Sequence, residues 1–186
     1  IGILFAAGSR TYLAERRRFT YNDSLNQIVT FIKTSRNYAV TSRSAFLADG
    51  TSVVPPEGYG VHISRSDVAG ASKVRLFANV GAADKTNQFD AGDLVEEEFT
   101  LPKITKFEAM LKDAKDAIPA LSEAVIIFRP PLAETFISNN LEPDTPANVV
   151  DTLYLRFSNR ESPTGADKQF ISINRTAGFP ELELRQ

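Results

Sequence analysis

The stretch from Ser9 to Asp49 contains neither glycine nor proline, and this feature constrains the fold more than any other. Glycine and proline interrupt helices most strongly, so the stretch predicts one long α-helix. After Gly50 the pattern changes to short apolar runs separated by Pro, Gly, Asn and Asp, which predicts β strands. A long helix followed by a strand-rich body predicts the α+β fold class.

The first residues of this helix are apolar or small on nearly every side. They are Ile1, Gly2, Ile3, Leu4, Phe5, Ala6 and Ala7. Such a pattern suits a helix buried in lipid or among copies of itself, and an ordinary buried helix end is the simpler alternative. The run is shorter than the about 20 residues that span a bilayer. No basic segment precedes it, as one does in a signal peptide, so we expect the natural N-terminus to lie upstream.

The second half of the helix has a single apolar face, formed by residues three and four positions apart. These residues are Leu25, Ile28, Ile32, Ser35 and Ala39. This spacing predicts an amphipathic helix that packs on a sheet. Between the halves, Arg16–Arg18 is followed by polar residues typical of helix starts. These residues allow a new start near Tyr21, whereas an unbroken helix through about residue 43 would be about 65 Å long.

Seven later segments have the alternating or continuous apolar pattern of β strands, bounded by turn residues. They are Tyr59–Ser64, Lys73–Asn79, Leu94–Leu101, Ala124–Arg129, Glu134–Ile137, Thr152–Phe157 and Gln169–Asn174. The spacing of apolar residues between Glu108 and Ile118 predicts a short helix there. Loops are expected around Val54–Gly58, Asn79–Gly92, Asn139–Asn148 and Asn159–Asp167.

Residue types that carry catalysis are scarce in this chain. It has no cysteine, no tryptophan and one histidine, His62, which excludes thiolate sites, a cysteine nucleophile and multi-histidine metal cages. No glycine-rich phosphate loop and no Gly-x-Ser-x-Gly elbow occurs, and His62 is interpreted as part of one strand face. We therefore predict that the protein is not an enzyme and uses no cofactor.

Two groups of residues rich in carboxylates are candidates for cation binding or for an exposed surface. Asp84, Asn87, Asp90 and Asp93 offer the oxygen ligands that Ca²⁺ prefers. Their spacing does not match the EF-hand loop, so a solvated turn is the simpler prediction and no metal site is predicted. The acidic run Glu96–Glu98 lies on a predicted strand and suits an exposed sheet edge.

Six segments follow one another in an ordered set along nearly the whole chain. They are Ile1–Leu4, Ser24–Arg43, Val54–Val61 (with Gly58-Tyr59-Gly60-Val61), Leu76–Asn79 followed by Phe89–Asp93, Val125–Pro131, and Phe170–Arg175 with Gly178 and Leu182. No single segment is specific, but the ordered set resembles the type IV pilin superfamily. It is most similar to the H-type minor pseudopilins and FimT-like pilins of bacterial type II secretion and type IV pilus systems.

This resemblance implies a pilin-like fold, in which a long N-terminal helix packs against an antiparallel β-sheet or β-sandwich. It implies that residues 1–23 form a membrane anchor or filament-core segment. Residues 24–186 would then form the globular domain, comprising an amphipathic helix half, 24–43, and a β-rich body, 44–186. It also implies an inner-membrane precursor trimmed by a prepilin peptidase. The mature subunit would assemble with identical or related pilin subunits into a periplasmic or extracellular filament.

Other features fit that family less well and keep alternatives open. Basic residues Arg16–Arg18 follow the apolar run, although the positive-inside rule favours cations on the cytoplasmic side, and there is no C-terminal disulfide loop. The runner-up is a secreted β-sandwich binding module whose helix caps the sheet. Some FimT-like pilins assist DNA uptake, but the net charge is −2 and Lys168, Arg175 and Arg185 are scattered. A nucleic-acid partner is therefore not predicted.

Overall fold

The computed structural model describes residues 2–81, 87–111, 123–138, 152–161, 168–176 and 178–184. Within these ranges, side chains are described for 12–81, 87–108, 123–138, 152–161, 168–176 and 178–182. The described chain contains one helix, α1 (Gly2–Val40), followed by antiparallel β strands. The predicted α+β class is confirmed.

Helix α1 is continuous over 39 residues and is therefore about 58 Å long at about 1.5 Å per residue. A new helix start near Tyr21 does not occur, because the polar side chains there bond back to helix carbonyls. The Thr20 hydroxyl donates to the Arg16 carbonyl at 3.0 Å, and the Ser24 hydroxyl to the Tyr21 carbonyl at 2.7 Å. Local bonds of this kind are compatible with a helix interior.

The helix ends at Val40 through a glycine-free version of a common C-terminal motif. The Arg43 amide donates to the Tyr38 carbonyl at 3.0 Å, and Ser42 adopts a positive φ of 47°. A left-handed residue just past the helix lets the chain reverse while the last carbonyls keep donors. The chain then enters a short hairpin of β1 (Ala45–Phe46) and β2 (Ser52–Val53).

Two larger antiparallel sheets form the body. The five-stranded sheet has the order β5-β4-β3-β7-β8. Its strands are β3 (Tyr59–Ser64), β4 (Lys73–Ala78), β5 (Leu94–Thr100), β7 (Glu123–Arg129) and β8 (Glu134–Ser138). The four-stranded sheet has the order β11-β10-β9-β6. Its strands are β6 (Thr105–Leu111), β9 (Thr152–Asn159), β10 (Lys168–Asn174) and β11 (Pro180–Leu184).

All seven predicted strands are present, with ends within about two residues of those predicted, which is the usual uncertainty of strand boundaries. The short helix predicted over Glu108–Ile118 is wrong for its first part, because residues through Leu111 belong to β6. A register shift between Phe107 and Ala109 interrupts the pairing of β6 with β9. This irregularity breaks the strict alternation that identifies a strand in sequence. Residues 112–118 of that prediction lie outside the described residues.

One hydrophobic core joins the helix to both sheets. Side chains from α1 pack with Val61 and Ile126 of the five-stranded sheet and with Leu155 and Ile171 of the four-stranded sheet. All four of these sheet residues are fully buried. The second half of the helix is therefore held by both sheets at once.

Candidate functional site

Burial changes abruptly along helix α1. Every side chain from Tyr12 to Phe19 is exposed, Thr20 is half-buried, and Tyr21 is 2% exposed. We call residues 12–19 the projecting segment. The backbone of residues 2–11 continues the same helix. Ile1 and the side chains of Gly2, Ile3, Leu4, Phe5, Ala6 and Ala7 lie outside the described residues.

The structure places the predicted helix–sheet packing residues in the core. Leu25, Ile28, Ile32 and Ala39 are each at most 1% exposed. Ser35, on the same face, is also fully buried. Among the described side chains of the helix, the first buried one is Tyr21, two positions after the projecting segment ends, so the two halves of the helix have different surroundings within the same chain.

Polar contacts fix the helix to the four-stranded sheet at the point where it emerges. The Ser24 and Thr105 hydroxyls lie 2.8 Å apart, and the Gln169 side-chain amide donates to Asn22 Oδ1 at 3.1 Å. Just beyond, Arg17 Nε lies 2.8 Å from Glu161 Oε2. The first of these contacts is buried, where a hydrogen bond is more costly to lose than at the surface.

A cleft of about 330 Å³ lies at this junction. Its lining residues are Leu13, Arg16, Arg17, Thr20, Lys103, Ile104 and Glu161. The lining combines the apolar side chains of Leu13 and Ile104 with the cations Arg16, Arg17 and Lys103. Lys103 and Ile104 belong to the turn between β5 and β6, so a distant part of the sequence completes the site.

Large apolar side chains are exposed on the projecting segment. Tyr12 is 67% exposed, Phe19 73% and Leu13 47%. Tyr12 and Phe19 are seven residues apart and share one helix face, which points away from the face that Leu25 and Ile28 bury. This spacing is visible in the sequence, but it was not predicted, because the stripe that faces the core is the more regular helical pattern. Among the described residues, no helical stretch is both long and apolar enough to cross a membrane.

The acidic loop uses its oxygen atoms internally. Asp93 Oδ1 accepts hydrogen bonds from the amides of Val80 at 3.2 Å and Gly81 at 3.1 Å, and Oδ2 accepts one from the Asp90 amide at 3.0 Å. Asp90 Oδ1 in turn accepts from the Gly92 amide at 2.6 Å. Burial raises the pKa of Asp93 above its usual value, against the lowering effect of these amide donors.

Asn87, the third described candidate ligand of that loop, also has a protein partner. Asn87 Oδ1 accepts a hydrogen bond from Arg129 Nη2 at 3.0 Å, and Asp84 lies outside the described residues. Over the residues that the structure describes, no group of three or more potential ligands could hold a metal ion. The described part of the loop has the geometry of a hydrogen-bonded turn.

His62 lies at the centre of a polar row on the outer face of the five-stranded sheet. It is 3% exposed, and its ring stacks on Phe89 at 4.5 Å between centroids. Nε2 lies 3.1 Å from Glu123 Oε2 and Nδ1 lies 3.4 Å from Arg75 Nη1, so a neutral ring donates to the former and accepts from the latter. Burial lowers the pKa of His62. The row continues from Arg75 to Glu98, on the edge strand β5, at 2.6 Å.

A second, open crevice of about 500 Å³ lies at the turn between β7 and β8. Pro130, Pro131 and the 86% exposed Leu132 line it, together with Arg175 from the end of β10. Of the three cations considered for nucleic-acid binding, Arg175 lines this crevice. Lys168 lies at the opposite end of β10 from Arg175, and Arg185 lies outside the described residues.

Comparisons of this chain with protein-family models, with curated proteins and with solved structures found no match.

Proposed function

We propose that this chain is a pilin-like filament subunit, a pilin or pseudopilin of a bacterial type IV pilus or type II secretion filament, which polymerises through its N-terminal helix. One observation carries the proposal. Helix α1 is continuous, yet only its second half is buried by the chain's own sheets, while all side chains of the projecting segment are exposed.

A projecting helix of this kind gains stability when something covers it. Isolated helices are marginal in water because nucleation is costly and packing supplies most helical stability in proteins. Burying Tyr12, Leu13 or Phe19 would contribute about 1.5–3 kcal/mol each. Repetition of such contacts between many copies then strengthens the assembly through multivalency.

The anchoring contacts suit a subunit whose body is held in a fixed orientation relative to its helix. The buried Ser24–Thr105 contact and the Asn22–Gln169 contact fix the body to the helix at the junction. A body held in this way would occupy a defined position on the outside of a helical core.

The remaining parts of the proposal follow from the resemblance to pilins. Residues 1–23 belong to the membrane anchor and filament core, and residues 24–186 to the globular domain. The precursor resides in the bacterial inner membrane, a prepilin peptidase processes it, and the product is a non-enzymatic subunit of a periplasmic or extracellular filament. Its partners are identical or related pilin subunits.

The second candidate is a secreted β-sandwich binding module, and the crevice beside Pro131 and Arg175 favours it. A capping helix would explain the burial of Leu25 and Ile28, but it gives no reason for the exposure of Tyr12 and Phe19. A DNA-uptake minor pilin has less support, because Lys168 and Arg175 are at opposite ends of one strand.

Site-specific photo-crosslinking tests the proposal. Benzoyl-phenylalanine replaces Phe19 in the full-length protein, expressed in its native cell. A matched variant carries it in place of Phe46, which is 68% exposed against 73% for Phe19 but lies in the β1 hairpin. Mass spectrometry identifies the captured chains.

At position 19 we expect adducts with a second copy of this chain or with a related pilin subunit, and at position 46 far fewer. A monomeric product at position 19 in cells that make the filament would overturn the proposal. Equal adducts at both positions would mean that contact is not specific to the helix and would overturn it as well.

A further inference from the structure

Cations surround the base of the projecting segment. We call the following set the collar: Arg16, Arg17, Arg18, Lys103 and Arg160. Lys103 lines the same cleft as Arg16 and Arg17, and the Arg160 amide donates to the neighbouring Ile104 carbonyl at 2.8 Å. Along the chain, two carboxylates adjoin these five cations, Glu15 next to Arg16 and Glu161 next to Arg160, on a chain whose net charge is −2. The collar is thus a locally positive region on a net-negative chain.

The three arginines form a belt and not a stripe. Successive residues of an α-helix are rotated by about 100° around its axis, so Arg16, Arg17 and Arg18 point in three different directions. A nucleic-acid duplex lying alongside the helix would meet cations on one face only. Cations that point in different directions around the helix instead all lie near one plane that the helix crosses. A membrane surface is such a plane.

The cleft adds a binding geometry to this charge. Leu13 and Ile104 supply apolar surface to its lining, and Arg16 and Lys103 supply cations. Among the described residues, neither of these two cations forms an ion pair, since Arg17 is the one bound to Glu161. A phosphodiester with the first carbons of its acyl chains matches this arrangement. Arginine also binds phosphate through two parallel hydrogen bonds.

The exposed aromatic residues complete the pattern. Tyr12 and Phe19 lie on either side of Arg16 along the helix, 67% and 73% exposed. Aromatic side chains are enriched where a protein crosses the headgroup region, and arginine side chains extend from such positions to the phosphates.

We propose that the collar binds the headgroups of anionic phospholipids in the membrane that holds the N-terminal helix, before the subunit enters a filament. This inference rests on the proposed function, because it requires that the N-terminal helix be presented to a membrane. Anionic phospholipids are thus the ligand class of the collar. Binding to them accounts for the charges of Arg16, Arg18 and Lys103, which helix packing does not.

Vesicle flotation of the purified full-length protein tests the inference. Binding to phosphatidylcholine vesicles is compared with binding to phosphatidylcholine–phosphatidylglycerol vesicles. The collar variant is Arg16→Gln/Arg18→Gln/Lys103→Gln, and the control is Lys33→Gln/Arg43→Gln/Arg175→Gln, which removes the same charge outside the collar. Each cation near an anionic surface is worth about five-fold in binding, so the collar variant loses about 100-fold of the preference for anionic vesicles.

We expect the control variant to keep that preference. Its retention by the collar variant, or equal loss in both variants, would overturn the inference. So would preferential binding of the collar to a DNA duplex without any preference among vesicles. These results leave the crosslinking test at Phe19 untouched, because that test reads contacts between subunits and not lipid binding. The two proposals therefore fail separately.

Discussion

The different surroundings of the two helix halves lead to a quantitative prediction for one substitution made at two places. Leu25→Ala removes a side chain that is 0% exposed in the core. The three carbon atoms removed correspond to about 2.4 kcal/mol at about 0.8 kcal/mol for each buried CH₂ group. The cavity that remains raises the loss into the range of about 2.7–5 kcal/mol seen for buried leucines.

Leu13→Ala is the matched control, because it makes the same chemical change on the same helix at a side chain that is 47% exposed. Surface substitutions usually stay within about 0.5 kcal/mol, and alanine does not weaken the helix itself. Urea unfolding of the monomeric protein, followed by circular dichroism, measures the loss of unfolding free energy in both variants. In a thermal melt of the same samples, at about 2–4 °C for each kcal/mol in a domain of this size, Leu25→Ala lowers Tm by about 5–20 °C.

Two results would refute this reasoning. If Leu13→Ala destabilises the monomer as much as Leu25→Ala, the chain itself covers the projecting segment and assembly is not needed to do so. If Leu25→Ala costs less than about 1 kcal/mol, the second half of the helix is not anchored in the shared core.

Three further predictions concern the five-stranded sheet. Gly60→Ala would place a Cβ atom 2.5 Å from Cζ of the buried Phe77. We expect this overpacking to lower the free energy of unfolding by about 1–3 kcal/mol, which a lower urea midpoint would show. An unchanged midpoint would contradict the close packing of Gly60 on Phe77. Burial lowers the pKa of His62, so below about pH 6.5 the unfolded chain takes up a proton that the folded ring resists. The free energy of unfolding should therefore fall as the pH drops below about 6.5. His62→Gln should remove this part of the pH dependence. Burial raises the pKa of Tyr59 to about 12, so between about pH 10 and pH 12 the unfolded chain loses a proton that the folded phenol keeps. Denaturant titrations should therefore show stability falling above about pH 10 by more in the parent than in Tyr59→Phe, and parallel curves would refute the assignment.

The features that could be predicted from the sequence are those with a regular period. The stripe containing Leu25 and Ile32 repeats with the helical period, and the strand ending in Arg129 is a continuous apolar run. In both cases the local pattern and the tertiary packing agree, so the prediction and the structure coincide.

The features that could not be predicted depend on partners distant in sequence. Strand β6 pairs with β9 through an irregular register at Phe107, which the local pattern misrepresents as a helix. The row through His62 joins residues of separate strands, and only the sheet register brings Glu123 to the ring. The loop oxygens of Asp93 are taken by backbone amides, which no residue spacing reveals. The same holds for the cleft, which Lys103 lines together with residues of a helix far from it in sequence.

The most direct test of the central claim is electron microscopy of full-length protein purified from its native cell surface, with helical reconstruction of any filaments. We predict filaments whose interior contains the helix of this chain, with residues 12–19 packed against neighbouring subunits and the two sheets on the outside. A filament in which Tyr12 and Phe19 remain solvent-exposed would contradict the claim. So would a full-length protein that stays monomeric while the filaments of its cell lack this chain.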